Sequence, residues 1–248
     1  MPPEQSAHHV QVENSNANEL IEVGILSAAI IHEVKNSLQG VANALFLLDC
    51  DRNLSRNARE MVAIAKRELS RAFDISKQTL ALIREEHPVA VSVTDVLEEV
   101  LLSYTEKIAY KHMTIERRYE FNETIQGNPG AIRQVFADVV LNALESAPFY
   151  TGKLVIHTSP CFRSRGSTST GVQVVFADNG PGIPAEYKRR VFEPLFSTKS
   201  GKGSGLGLWV ADRLVRQQNG HMRMYSRSTT INSGSCFSVF LPRNAIAR

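Results

Sequence analysis

Apolar residues in the first third of the chain recur at helical intervals. Ser27, Ile31, Val34, Leu38, Val41, Leu45 and Leu48 stand 4, 3, 4, 3, 4 and 3 residues apart, the seam of one helix. The stretch LDCDRNLSRN interrupts that spacing with Asp49, Asp51, Asn53 and Asn57, and so predicts a turn. A second helix is expected from Ala58 to Glu85, with Val62, Ala65, Leu69 and Ala72 as a partial seam. Two such helices make a hairpin about 40 Å long. A lone hairpin leaves an apolar edge in water, and a second copy covers it most simply, so a homodimeric four-helix bundle is expected.

His87-Pro88 ends the second helix, because proline disfavours helical backbone in the residue before it. The pattern then changes. Val89, Val91 and Val93 alternate like a short strand, and Thr94-Asp95 can cap a helix reaching Tyr110. Strands are expected at Met113–Tyr119 and Ile125-Gln126. A helix then runs from Pro129, suited to a first helical position, to Ala147. Further strands fall at Lys153–Thr158 and Val172–Ala177, on either side of a Ser/Thr/Gly-rich loop over 163–171. A helix over Gly205–Gln218 and a hairpin of His221–Ser226 with Cys236–Leu241 close the chain. Mixed strands and helices in this order predict an α/β sandwich. The chain therefore divides into a polar, flexible tail (1–18), a helical hairpin (19–87) and an α/β domain (88–248), an α+β architecture overall.

Composition narrows the picture by exclusion. The 248 residues are 43% hydrophobic and 21% charged, as in ordinary globular proteins. A net charge of +3 is too small to argue for a nucleic-acid partner. No apolar run reaches the roughly 18–20 residues of a membrane helix, and the polar N-terminus lacks the apolar stretch of a signal peptide. Cys50, Cys161 and Cys236 are scattered thiols without metal-ligand spacing, which points to a reducing, cytoplasmic setting.

Four stretches can carry chemistry. His32 lies beside the apolar seam of the first helix and should face water, with Asn36 one turn on. An exposed imidazole with a pKa of about 6.5 is mostly neutral at pH 7 and can be a nucleophile. Glu33 could hold one ring nitrogen protonated and leave the other lone pair to attack phosphorus. An idle surface histidine would look the same, and a zinc-protease helix would need a second histidine where Asn36 stands. Asp138 and Asn142 share one face of the helix expected over Pro129–Ala147, and a side-chain amide in a cleft can be a neutral oxygen ligand for Mg²⁺. Asp178-Asn-Gly-Pro-Gly182 follows a strand. An aspartate there can accept a hydrogen bond from a base amino group, while Gly180 and Gly182 let backbone approach a ligand; a plain turn has the same composition. Lys199, Gly203, Gly205 and Gly207 precede a helix, and glycines with free N–H groups at a helix start make an anion site. Lys202 is followed by Gly203, so this is not a Walker loop; a glycine-rich linker is the plain alternative. Phe192, Pro194, Leu195 and Phe196 form an apolar patch ahead of it, as a lid over a nucleotide would.

In order and spacing these stretches resemble a bacterial sensor histidine kinase core. HEVKNSL resembles the H box, DVVLNALESA the N box, DNGPGIP the first glycine box, VFEPLFSTK the F box and GKGSGLGL the second glycine box. The wording of FEPLFSTK is most similar to the cytoplasmic, nitrogen-regulator type. The resemblance implies a dimeric helical-hairpin bundle followed by a Bergerat-type ATP-binding sandwich. It implies that His32 is phosphorylated from Mg-ATP, that Glu33 orients it, and that Asn36 serves a phosphatase activity. Asn142 would hold Mg²⁺, Asp178 the adenine amino group, and Gly180 and Gly182 the shape of the adenine pocket. Gly203, Gly205 and Gly207 would let lid and helix approach the phosphates, with Lys199 adding charge. The phosphoryl group would pass to an aspartate in the receiver domain of a separate response regulator. The signal would come from an upstream partner protein, or the chain would be part of a longer one.

Three positions depart from the family pattern. Ser37 replaces the proline that usually kinks the helix below the histidine, which implies a straighter helix. Asp138 replaces the first N-box asparagine, and a carboxylate there resembles the acidic base of the gyrase- and Hsp90-type ATPases. Asn128 stands where aspartate is common, and little is expected of that change. Two competitors follow: an ATPase using Asp138 as its base, and a degenerate kinase acting as a scaffold.

Overall fold

The computed structural model describes residues 37–51, 54–83, 88–121, 123–162, 170–198, 205–229 and 233–244. The expected tail, His32, Glu33, Asn36, Lys199 and Gly203 lie outside them. The chain divides into two compact units, Met1–Glu85 and Glu86–Arg248.

In the first unit, helix α1 occupies 37–49 and α2 Arg56–Ile83. The chain turns back between them. Ser55 Oγ accepts the N–H of Ala58 at 3.2 Å and opens α2, and Lys66 Nζ reaches Asp49 Oδ2 at 2.7 Å across the turn. Leu38 and Leu45 of the seam are half-buried, while Val41 and Leu48 stay 50% and 47% exposed.

The second unit is a two-layer sandwich. Its strands are β1 (Val89–Ser92), β2 (Thr114–Tyr119), β3 (Thr124–Gly127), β4 (Lys153–Phe162), β5 (Thr170–Asp178), β6 (His221–Arg227) and β7 (Gly234–Pro242). Five of them form one sheet in the order β2-β4-β5-β7-β6, and β1 pairs with β3 separately. The β2–β4 pair is parallel and the other pairs of the sheet are antiparallel. Helices α3 (Val93–Ser103), α4 (Thr105–Lys111), α5 (Pro129–Ser146) and α6 (Gly207–Gln217) complete it.

Period-two patterning explains how the layers join. Ile156, Val174, Phe176, Phe237 and Val239 alternate along their strands and are at most 1% exposed. Helix α5 meets them with Ile132, Val135, Phe136, Val139 and Val140, and the rings of Phe136 and Phe176 sit 5.6 Å apart. Asn128 caps α5 by accepting the N–H of Ala131 at 2.9 Å, with Pro129 in the first turn.

Three expectations need correction. The helix expected to continue to Tyr110 breaks at Ser103–Tyr104. Ser103 Oγ donates to the carbonyl of Val100 at 2.7 Å and Thr105 Oγ1 to that of Leu102 at 2.8 Å, so hydroxyls compete with the backbone ladder there. The cap of α3 is Ser92, whose Oγ accepts from the N–H of Asp95, while Thr94 donates instead to the carbonyl of Phe121. Strand β4 also runs past its expected end at Thr158, because Ser159–Phe162 continue in register with Thr170–Gln173.

Candidate functional site

Strand β5 delivers Asp178 to the end of the sheet between β4 and β7. Its Oδ1 accepts the N–H of Gly180 at 2.8 Å and of Ser235 at 3.3 Å. Both are backbone donors, so the carboxylate is oriented by groups that no rotamer change can remove. The loop it opens is braced on the other side by Asn179. There Oδ1 accepts the N–H of Lys153 and Nδ2 donates to the carbonyl of Thr151, both at 2.7 Å. Gly182 has φ +72°, and a Cβ there would come 1.9 Å from the carbonyl oxygen of Arg227. Only glycine fits. At Gly180 an added Cβ would lie 2.9 Å from Asp178 Oδ1, so its smallness keeps the carboxylate's hydrogen bond in place.

Helix α5 supplies the second group of polar side chains. Asp138 is 8% exposed, and its Oδ1 accepts from Gln134 Nε2 at 2.8 Å. Asn142, one turn further, is half-buried. A Cβ on Gly207, the first residue of α6, would lie 3.6 Å from the Asp138 carboxyl carbon. So the start of α6 is held against the α5 face that carries Asp138. No side chain caps α6, and its first turn holds no acidic residue, which leaves its N–H groups to an incoming anion. Gly205 has φ +68°, and its backbone passes so close to Leu195 that a Cβ would fall 2.6 Å from that carbonyl carbon. Leu195 itself has φ +64° and is 64% exposed. The F-box aromatics are packed by their neighbours: Tyr187 lies 5.6 Å from Phe196, and the Arg190 guanidinium stands 4.4 Å over the same ring.

The structure thus brings Asp178, Gly180 and Gly182 together at one sheet end, and Asp138 and Asn142 onto one face of α5 beside Gly207. An amide and a carboxylate one turn apart, next to an uncapped helix start, suit a phosphate-bound Mg²⁺. An oriented aspartate beside glycine backbone suits an aminopurine. Nothing in the sequence marks Ser226 or Ser235, and Asn179 stands within the DNGPGIP stretch without a role of its own. Serine in a strand reads as ordinary edge polarity, and its role emerges only when the pairing places it under the loop. Cys236 follows Ser235 on β7. Burial, and then the charge of Asp178, pushes its thiol pKa up.

Residues 127–245 match the family of histidine kinase-, DNA gyrase B-, and HSP90-like ATPases. The chain is similar to sensor histidine kinase ZraS of Escherichia coli, at 25% identity over 97% of this chain and 50% of that protein. It is also similar to the sensory histidine kinase/phosphatase NtrB of Azospirillum brasilense, at 27% identity over 94% and 59%. The chain spans about half the length of these curated relatives. Full-length ShkA in complex with AMPPNP superposes with a TM-score of 0.65 at 22% identity, over 87% of this chain and 46% of that one. The catalytic domain of histidine kinase ThkA does so with 0.57 at 24% identity, over 66% and 100%. Both likenesses concern the fold.

Proposed function

We propose that the chain is a sensor histidine kinase core that phosphorylates itself on His32; in support, residues 127–245 match the histidine kinase-, DNA gyrase B-, and HSP90-like ATPases and the chain is similar to the sensor histidine kinases ZraS and NtrB. In the proposed reaction an imidazole nitrogen of His32 attacks the γ-phosphorus of ATP. The bond from that phosphorus to the β–γ bridging oxygen breaks, ADP leaves, and Glu33 stabilises the proton on the other ring nitrogen. The phosphoryl group then passes to an aspartate carboxylate on the receiver domain of a separate response regulator, P–N breaking as P–O forms. Asn36 would orient water to hydrolyse that aspartyl phosphate, releasing inorganic phosphate and the free carboxylate, as the phosphatase duty.

Asn142 would hold Mg²⁺, which neutralises charge on the triphosphate. The start of α6, with Gly205 and Gly207, would receive the phosphates, and Lys199 and Gly203 would close over them. Asp178 would accept from the adenine amino group. The observation that carries the reading is this carboxylate, fixed by two backbone N–H groups at the end of β5.

The proposal includes a homodimer formed by the helical unit. In support, Val41, Leu48, Met61 and Ile64 leave apolar side chains 47–71% exposed there. It also includes a cytoplasmic location; no described helix is long and apolar enough to cross a membrane. The domain limits of 19–87 and 88–248 and an upstream partner that delivers the signal belong to the same proposal.

A second reading is favoured by one observation, the burial of Asp138 and its hydrogen bond from Gln134. A braced carboxylate beside the phosphate-binding helix could take a proton from water and make the protein an ATPase. Incubation with γ-labelled ATP and Mg²⁺ separates the two. Acid-labile, base-stable label on the protein is expected. Steady phosphate release without such label would replace the kinase by the ATPase, and neither product would leave a scaffold.

A further inference from the structure

Ser226 occupies the penultimate position of β6 and is 8% exposed. Its hydroxyl accepts the N–H of Ile183 at 2.7 Å and donates to the carbonyl of Gly234 at 2.8 Å. With its one proton committed there, the Ser235 hydroxyl is the donor in their 3.1 Å contact. The carbonyl of Ser226 accepts from Lys188 Nζ at 2.6 Å. Ser226 and Ser235 are direct partners across the β6–β7 pair, and the Ser235 N–H bonds Asp178 Oδ1. The loop from Asp178 to Ile183 is therefore tied at both ends to one pair of serines. Gly182 is pressed onto the same spot, where a Cβ would sit 3.2 Å from Ser226 Oγ. Removing this hydroxyl takes a partner from the Ile183 N–H, the Gly234 carbonyl and the buried Ser235 hydroxyl at once.

We propose that Ser226 is a positioning residue for base recognition: it clasps the Asp178–Ile183 loop to β6 and so sets the preference of the site for a 6-aminopurine. The inference rests on the nucleotide reading given above. The clasp acts on the base end of the site. The phosphate end is built from α5 and α6, which none of the Ser226 bonds reaches. Loss of the hydroxyl frees the Ile183 end of the loop while β5–β7 pairing still holds Asp178 in the sheet. Selectivity for the amino group should fall, and phosphate affinity should not.

The test is titration of the full chain by calorimetry with Mg-ADP and with the Mg complex of purine riboside diphosphate, in which hydrogen replaces the amino group. Wild type, Ser226→Ala, Ser226→Thr and Lys188→Met are compared, each with its melting temperature. A lost hydrogen bond to a charged group is worth about tenfold or more in affinity. Ser226→Ala is expected to raise the ADP Kd about tenfold and the analogue's Kd by less than about twofold, and Ser226→Thr to restore the preference. Lys188→Met removes one arm of the clasp from an exposed side chain, so it remains informative if the alanine variant fails to fold; a roughly threefold drop in preference is expected. An ADP preference unchanged in Ser226→Ala and Lys188→Met overturns the clasp, as does equal weakening of both nucleotides. Wild type that binds neither nucleotide overturns the nucleotide reading, and the clasp with it.

Discussion

The two units bury their apolar residues in opposite ways. In the α/β unit every layer is closed by its own chain: Phe136, Phe176 and Phe237 are at most 1% exposed, and the core continues through α3, α5, α6 and the sheet. In the helical unit, Val62 is the one apolar side chain, among those described, that is fully buried, while Phe46, Leu47, Met61 and Ile64 are 53–71% exposed. The α/β unit has a core of its own, whereas the described residues of the helical unit leave most of their apolar side chains in water. The first is suited to hold a rigid site, and the apolar side chains exposed on the described helices of the second are open to association.

The division of labour gives the largest expected effect. His32→Ala should reduce acid-labile phosphorylation to background while leaving the ADP Kd unchanged, since the residue belongs to the helical unit. Asp178→Asn should weaken ADP binding about tenfold or more, because an amide cannot reproduce the carboxylate's acceptors. Phosphohistidine retained in His32→Ala, read by acid and base stability of the label, would break the comparison at its centre.

The self-contained core comes next. Phe136→Ala removes a fully buried ring that meets Phe176, and should cost about 3–5 kcal/mol in urea unfolding of the α/β unit. The paired change Met61→Ser with Ile64→Ser should leave that unfolding transition alone. It should instead raise the dimer dissociation constant about tenfold or more, measured by sedimentation, if those exposed side chains are the covered edge. A monomeric wild type, or a dimer indifferent to both changes, would remove the reason given for the exposed helical face.

Legibility in the sequence followed the same line. The sandwich was readable because burial in a two-layer fold imposes period two on strands: Val172, Val174 and Phe176 announce β5, and the glycines after it announce the loop. Asp138, Asn142 and Asp178 stand out only through the order and spacing in which their stretches resemble a histidine kinase core, since an amide on a helix or an aspartate before a turn is ordinary by itself. The break at Ser103–Tyr104 was not readable, since it depends on which carbonyls two hydroxyls capture. Ser226 was invisible for a related reason. Its partners, Ile183, Lys188 and Gly234, are separated from it by 43, 38 and 8 residues, and only strand pairing and loop return bring them together.

The smallest effect uses one thiol from each unit. Cys50 is exposed on the helical unit, whereas Cys236 is half-buried on β7. Burial and the Asp178 charge raise the Cys236 pKa, so less of it is thiolate at any given pH in the native state than in the unfolded chain. Alkylation by iodoacetamide at pH 8 should therefore label Cys50 first and Cys236 several-fold more slowly, read by mass spectrometry. The sign on stability follows. The native state holds the Cys236 proton more tightly than the unfolded state does. Its contribution is therefore complete below the ordinary thiol pKa and declines as pH rises from there through the raised native value. Cys236→Ser should flatten that alkaline decline slightly. Because Asp178 is the second cause of the shift, Asp178→Asn should quicken Cys236 labelling as well. Equal labelling rates of Cys50 and Cys236 would mean that β7, although paired on both sides, opens as freely as the helical turn, and that the α/β unit is less closed at this end of the sheet than its burial indicates.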